Sequence, residues 1–174
     1  MFVGIKQIHM KKLVYFILLL FSLDAKAQIK KECENLIKAE KQVEANIKMY
    51  RETWDKIFNQ RDIEQVNEKN FTPDVTWLTQ KETIGGQGIE SFKKHFNYYL
   101  ITFSDIKFTF IDLWGHEDKL VKHWNFKGIH TATGKSMNLS GVTLVKMKDG
   151  KIIEEQDFDD NLWYNQQLGN YLIK

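Results

Sequence analysis

Residues Ser136–Asp159, SMNLSGVTLVKMKDGKIIEEQDFD, decide how this chain folds. Asp149-Gly150 stands between two β-favouring runs, and Asp-Gly in that setting is a strong hairpin signal, because a tight two-residue turn needs positive φ at both positions. The stretch therefore predicts strands over 136–148 and 151–159 joined by a tight turn. Gly141, inside the first strand, is expected to mark a bulge that bends the sheet.

Upstream, Phe108, Phe110, Trp114, Val121, Trp124 and Phe126 continue the β-favouring pattern, and the breaks at Gly115–Asp118 and Thr131–Lys135 are short. Strands over 104–115 and 118–130 follow, all four being antiparallel neighbours. Before them, Ile89, Phe92, Phe96, Tyr99 and Leu100 recur at helical spacing and predict a helix over 89–101. Gly85-Gly86-Gln87-Gly88 reads as the turn into it; the Lys-Ser/Thr that a phosphate-binding loop requires is missing. Val75–Leu78 reads as a strand, preceded by a break at Phe71-Thr72-Pro73-Asp74, and Asp62 as the cap of a short helix over 63–69. Further upstream, Val43, Ile47, Tyr50, Trp54, Ile57 and Phe58 form one apolar stripe and predict an amphipathic helix over about 30–60. Residues 160–172 are expected to close the domain as a short helix or irregular tail.

Helices followed by hairpin-linked strands make an α+β layout in which a curved antiparallel sheet wraps over the long N-terminal helix. The mouth of such a cone is the expected place for a concave, mostly apolar site.

The N-terminus carries a different signal. Met10-Lys11-Lys12 is a basic segment, Leu13–Leu23 is apolar except for Ser22, and Ala25-Lys26-Ala27 offers a small-x-small cleavage pattern. The apolar run is shorter than the roughly 20 residues a membrane span needs. The reading is a signal peptide over 1–27, with Met10 as the start, and an exported domain over 28–174, periplasmic or secreted, with no membrane span after cleavage. Cleavage turns the formal charge from +2 to about −1, which leaves no basic excess of the kind nucleic-acid binding requires. With 43% hydrophobic and 28% charged residues, the chain can bury a core and stay in solution. The single cysteine, Cys33, cannot form an intramolecular disulfide, and no His, Cys or carboxylate spacing points to a metal.

Several segments together resemble a family: the helix ending Trp54-Asp55-Lys56-Ile57-Phe58-Asn59, Phe71-Thr72-Pro73-Asp74-Val75 leading into a strand, and Gly88 opening the helix of Phe92 and Phe96. Trp124-x-Phe126-x-Gly128-x-His130 with Gly134, then Gly150–Asp157 and Gln167-Leu168-Gly169, complete the set. In that order they resemble SnoaL-like proteins and ester cyclases of the nuclear transport factor 2 superfamily, over about residues 45–170. The resemblance implies a cystatin-like α+β cone, a small apolar or amphipathic molecule as partner, no redox cofactor, and homodimerisation through the outer face of the sheet. It also implies that Asp157, near the end of the last strand, is the acid–base group of the cyclase members. Two positions depart from their pattern: Gln156 stands where a Trp is common, and residues 136–148 contain no His.

The chemistry of Asp157 suits that role, since a carboxylate inside an apolar cone loses solvation and can shuttle a proton near neutral pH. By alternation it shares a face with Ile153, Glu155 and Asp159. His123 is the candidate proton-transfer partner, although it alternates with Trp124 and Phe126. Tyr50, Trp54, Trp77, Trp124 and Phe126 are the candidate ligand-binding wall, while His95 and His116 read as surface residues. A non-catalytic binding or dimerisation module of the same fold would use the same framework, because fold alone does not fix function.

Overall fold

The computed structural model describes the backbone of residues 3–170 and the side chains of Lys26 and residues 28–170. Two units are distinguished, Met1–Lys41 and Gln42–Lys174, and one helix, α1 (Val3–Asn59), contributes to both. In the first unit every described side chain is exposed, Cys33 included. Apart from Lys26, the side chains of the leader expected over residues 1–27 lie outside the described residues. Among the described residues no helix is long and apolar enough to cross a membrane.

The second unit holds the core. From Gln42 onward α1 turns Tyr50, Trp54, Ile57 and Phe58 into the interior, all nearly or fully buried, as their spacing on one helical stripe dictates. Its end is pinned by Asn59, whose side chain donates to the Phe108 carbonyl at 2.9 Å and accepts from the Phe108 N–H at 2.7 Å. The helix over 63–69 contracts to a single 3-10 turn, Ile63–Gln65, with the Asp62 carboxylate accepting from the Glu64 N–H as its cap. The chain then forms β1 (Phe71–Leu78), β2 (Ile84–Gln87), α2 (Ile89–Thr102), β3 (Phe103–His116), β4 (Lys119–His130), β5 (Ser136–Lys148), β6 (Lys151–Asp159) and α3 (Asn161–Leu168).

The six strands make one sheet in the order β2-β1-β6-β5-β4-β3. β3 to β6 are antiparallel neighbours, as their short connections require. Asp149 and Gly150 both take positive φ, 50° and 76°, so the turn has the left-handed backbone that Asp-Gly favours. β1 corrects the sequence reading twice. Pro73 lies within the strand rather than in a break before it, where the register with β6 is irregular between Phe71 and Thr76, so its missing N–H interrupts no regular ladder. The strand also pairs with β6 in parallel, because α2 and the intervening strands carry the chain back to that edge. The Gly-rich turn is partly strand, Gly85 and Gly86 lying in β2.

β5 alternates buried and exposed at every residue, with Met137, Leu139, Gly141, Thr143, Val145 and Met147 inward. Gly141 carries no bulge: it pairs regularly with Trp124 on one side and Asp159 on the other. A Cβ there would come within 2.4 Å of the Trp124 ring, so this glycine makes room for the indole. The irregularity lies instead between Lys146 and Met147, and it shifts the alternation of β6 so that Ile152, not Ile153, joins Glu155 inside.

Candidate active site

A cavity of about 250 Å³ opens inside the curved sheet. Its apolar wall comes from Phe58 of α1, Trp77 and Leu78 of β1, Phe96 of α2, Phe108 of β3, Trp124 and Phe126 of β4 and Leu139 of β5. The polar groups are few and come from five directions: His95 and Tyr99 on α2, Lys122 on β4, Asp157 and Asp159 on β6, Gln80 after β1, and Asn161 and Tyr164 at α3. A mostly aromatic enclosure with a handful of convergent polar groups is the usual form of a small-molecule site.

Asp157 is held from one side only. Thr143, its cross-strand neighbour, donates to Oδ1, and the Thr143 hydroxyl in turn accepts from Trp124 Nε1 at 2.9 Å. No hydrogen bond among the described residues engages Oδ2. The carboxylate is thus oriented by a Trp124–Thr143–Asp157 chain and presents an unsatisfied oxygen to the cavity. Gly141 is the residue that lets the Trp124 ring lie where this chain needs it.

His95 lies half-buried in the same cavity, stacked on Trp77 at 4.3 Å between centroids. Burial holds its pKa below the usual histidine value, and the charge of Asp157 pulls weakly the other way. The imidazole is therefore neutral at neutral pH, able to accept or donate a proton. Burial raises the Tyr99 phenol well above its ordinary value and, with Tyr98 nearby, pushes Tyr164 up to about 12. Both phenols remain protonated donors. Asp159 is also raised, by burial and then by the charge of Asp157, while Gln80 donates to it at 2.9 Å.

Below the cavity sits a second carboxylate. Glu155 is 1% exposed, and its Oε1 accepts from the Tyr50 hydroxyl and, at 3.1 Å, from Trp54 Nε1. Burial pushes its pKa up to about 7 against the opposing charge of Lys122. This cluster corrects two expectations: Tyr50 and Trp54 are fully buried, bind Glu155, and form no part of the cavity wall.

The structure brings Asp157, Trp77, Trp124 and Phe126 together around one space and leaves His123 out of it. His123 pairs with Asp112 and Val142 on the outward face of the sheet and is exposed, so the sheet itself separates it from Asp157. The histidine that does reach the cavity is His95, expected at the surface. Lys122, Thr143 and Tyr164 were not singled out from the sequence. Lys122 was within reach of the alternation argument, because it shares parity with Trp124 and Phe126 and so had to point inward. Among the described residues no cluster of three or more His, Cys, Asp or Glu side chains could hold a metal ion.

Solved structures with this architecture include TsrD from Streptomyces laurentii, 21% identical, covering 73% of this chain and 97% of that one with a TM-score of 0.65. An NTF2-like protein of unknown function from Burkholderia pseudomallei is 15% identical over 71% of this chain and 96% of its own, with a TM-score of 0.61. TerC, co-crystallised with polyporic acid, is 20% identical over 72% and 98%, with a TM-score of 0.60. At such identities the likeness establishes the fold. No curated protein matches the chain. The sequence profile of the SnoaL-like polyketide cyclase domain matches residues 48–168, most of the chain and all of the elements that line the cavity from Phe58 to Tyr164. The chain belongs to the SnoaL-like polyketide cyclase family.

Proposed function

We propose that this protein binds a small, largely apolar carbonyl compound in the cone and moves a proton on it, Asp157 acting as base and then acid. The observation that carries the reading is the free Oδ2 of Asp157 in an otherwise aromatic enclosure. In that setting the carboxylate takes a proton from the carbon next to a carbonyl and returns it elsewhere on the frame, the common step of isomerisation and cyclisation. Protonated Tyr99 and Tyr164 are suited to donate to the carbonyl oxygen as charge develops there, and neutral His95 to pass the proton on. A family matched to polyketide cyclases, and a structural neighbour crystallised with polyporic acid, support the ligand class.

The test is hydrogen exchange in D2O at the activated carbon of a panel of aryl ketones and keto esters, followed by mass spectrometry. Catalysed exchange is expected with the wild type and should fall about 10²- to 10⁴-fold in Asp157→Asn. Binding of the same compounds with no exchange by the wild type would leave a non-catalytic binding module.

Export and self-association belong to the same proposal. The basic, apolar and small-x-small segments over residues 10–27 support cleavage before Gln28, and N-terminal sequencing of the protein from a fractionated host checks it. Trp114 on β3, Val142 and Leu144 on β5 and Phe158 on β6 are exposed on the outward face of the sheet, an apolar patch suited to a second copy. Sedimentation is expected to give a dimer that Leu144→Glu dissociates.

A further inference from the structure

Lys122 is a cationic group of the cavity that the proton-transfer reading does not use. It is 3% exposed, on β4, with its ammonium over the faces of Trp54 at 4.6 Å, Tyr50 at 5.5 Å, Phe108 at 5.6 Å and Trp124 at 6.0 Å. Among the described residues no carboxylate oxygen lies within 4.0 Å of Nζ and none accepts a hydrogen bond from it; Glu155 acts on it only through charge at longer range. A buried ammonium without an acceptor is costly, and ring faces replace only part of its hydration. Yet Lys122 lines the same cavity as Asp157. The two occupy one cross-strand row through Thr143, so they stand on either side of a single strand, about 10 Å apart at the backbone.

We propose that Lys122 is the anion-receiving group of this cavity, and that the molecule bound there carries an acidic oxygen on an aromatic frame, set on Nζ while its reacting carbon faces Asp157. The aromatic box fixes where the charge sits, and three vacant ammonium donors await an oxygen acceptor. Ring faces around the cavity fit the frame; the ammonium selects, among aromatic carbonyl compounds, those that are anionic. This rests on the cavity being a small-molecule site.

The experiment measures binding of 1-hydroxy-2-naphthoate and its uncharged amide by quenching of tryptophan fluorescence, Trp77 and Trp124 being in the wall. The wild type is expected to bind the acid about tenfold or more tightly than the amide, as a charge-assisted contact predicts. Lys122→Met should abolish that preference by bringing the acid's affinity down to about the amide's, and Lys122→Arg should restore part of it. A merely structural lysine would lower both affinities together or neither. Thermal melting checks that each variant is folded, and Lys122→Gln gives the same comparison should the Met variant not fold. Equal binding of acid and amide by the wild type, or an acid preference that survives in Lys122→Met, overturns the assignment and leaves the role of Asp157 standing. Binding of neither probe removes the small-molecule reading, and the Lys122 assignment falls with it.

Discussion

Glu155 and Asp157 are two residues apart on β6, both face inward, and both are carboxylates, yet the surroundings give them opposite work. Glu155 meets α1, where Tyr50 and Trp54 donate to one of its oxygens and seal it from solvent. Asp157 faces the cavity instead; one threonine steadies one oxygen, and no hydrogen bond among the described residues engages the other. One turn of strand separates a carboxylate used to lock the helix to the sheet from one left free to react. The distinction lies in what packs above each, and the alternation of the strand cannot express it.

The comparison breaks first, and with the largest effect, at Asp157. Asp157→Asn keeps shape and the Thr143 contact, so catalysed exchange should drop about 10²- to 10⁴-fold with little change in melting temperature. A variant that lost stability instead would place Asp157 with Glu155 as a structural group. The converse substitution is Trp54→Ala, which removes a fully buried indole and the 3.1 Å donor to Glu155. Unfolding by urea should show a loss of about 3–5 kcal/mol. Affinity for an uncharged cavity ligand should fall less in the folded variant than affinity for an anionic one, since Trp54 is not in the wall but is the ring nearest the Lys122 ammonium, at 4.6 Å.

Titration sharpens the contrast further. The pKa of Glu155 in the fold is about 7 against an ordinary 4.5, so the folded state holds a proton there that the unfolded chain has already released. Its contribution is complete below pH 4.5 and is lost as pH rises through 7, a fall on the order of 3 kcal/mol. Glu155→Gln should flatten that slope. Comparing the two stability curves cancels His95 and Asp159, whose shifts both proteins share. His95 works in the other direction: its depressed pKa favours the fold above its ordinary value and weakens it as pH falls.

These contrasts also mark how far the sequence could be read. The strands β3 to β6 and the helix stripe of Tyr50, Trp54, Ile57 and Phe58 follow from periodicity and an Asp-Gly turn, and the structure places them within a residue or two. Pro73 misled, because a proline is tolerated at a position where the ladder is already irregular. The site was legible only where a residue's face sufficed: Trp124 and Phe126 inward, Asp157 inward. His95 and His123 exchanged places, since α2 folds against the cavity by tertiary contacts that its own spacing does not reveal. Tyr50 and Trp54 were rightly buried and wrongly assigned to ligand, because the sequence does not say that Glu155 is their partner.

The smallest expected effect concerns the one donor that Asp157 does have. Thr143 is fully buried, accepts from Trp124 Nε1 and donates to Asp157 Oδ1, so Thr143→Val keeps the volume and removes both bonds. Stability should fall by about 1–3 kcal/mol, the cost of leaving a buried indole N–H without an acceptor. The carboxylate remains in the cavity but is no longer aimed, so turnover should fall about tenfold with KM little changed, a loss of orientation rather than of the reacting group. Thr143→Ser, which restores the hydroxyl without the methyl, should recover most of the turnover and only part of the stability. If Ser recovers stability and leaves turnover low, packing by the methyl matters more than the bond, and the Trp124–Thr143–Asp157 chain does not position the base.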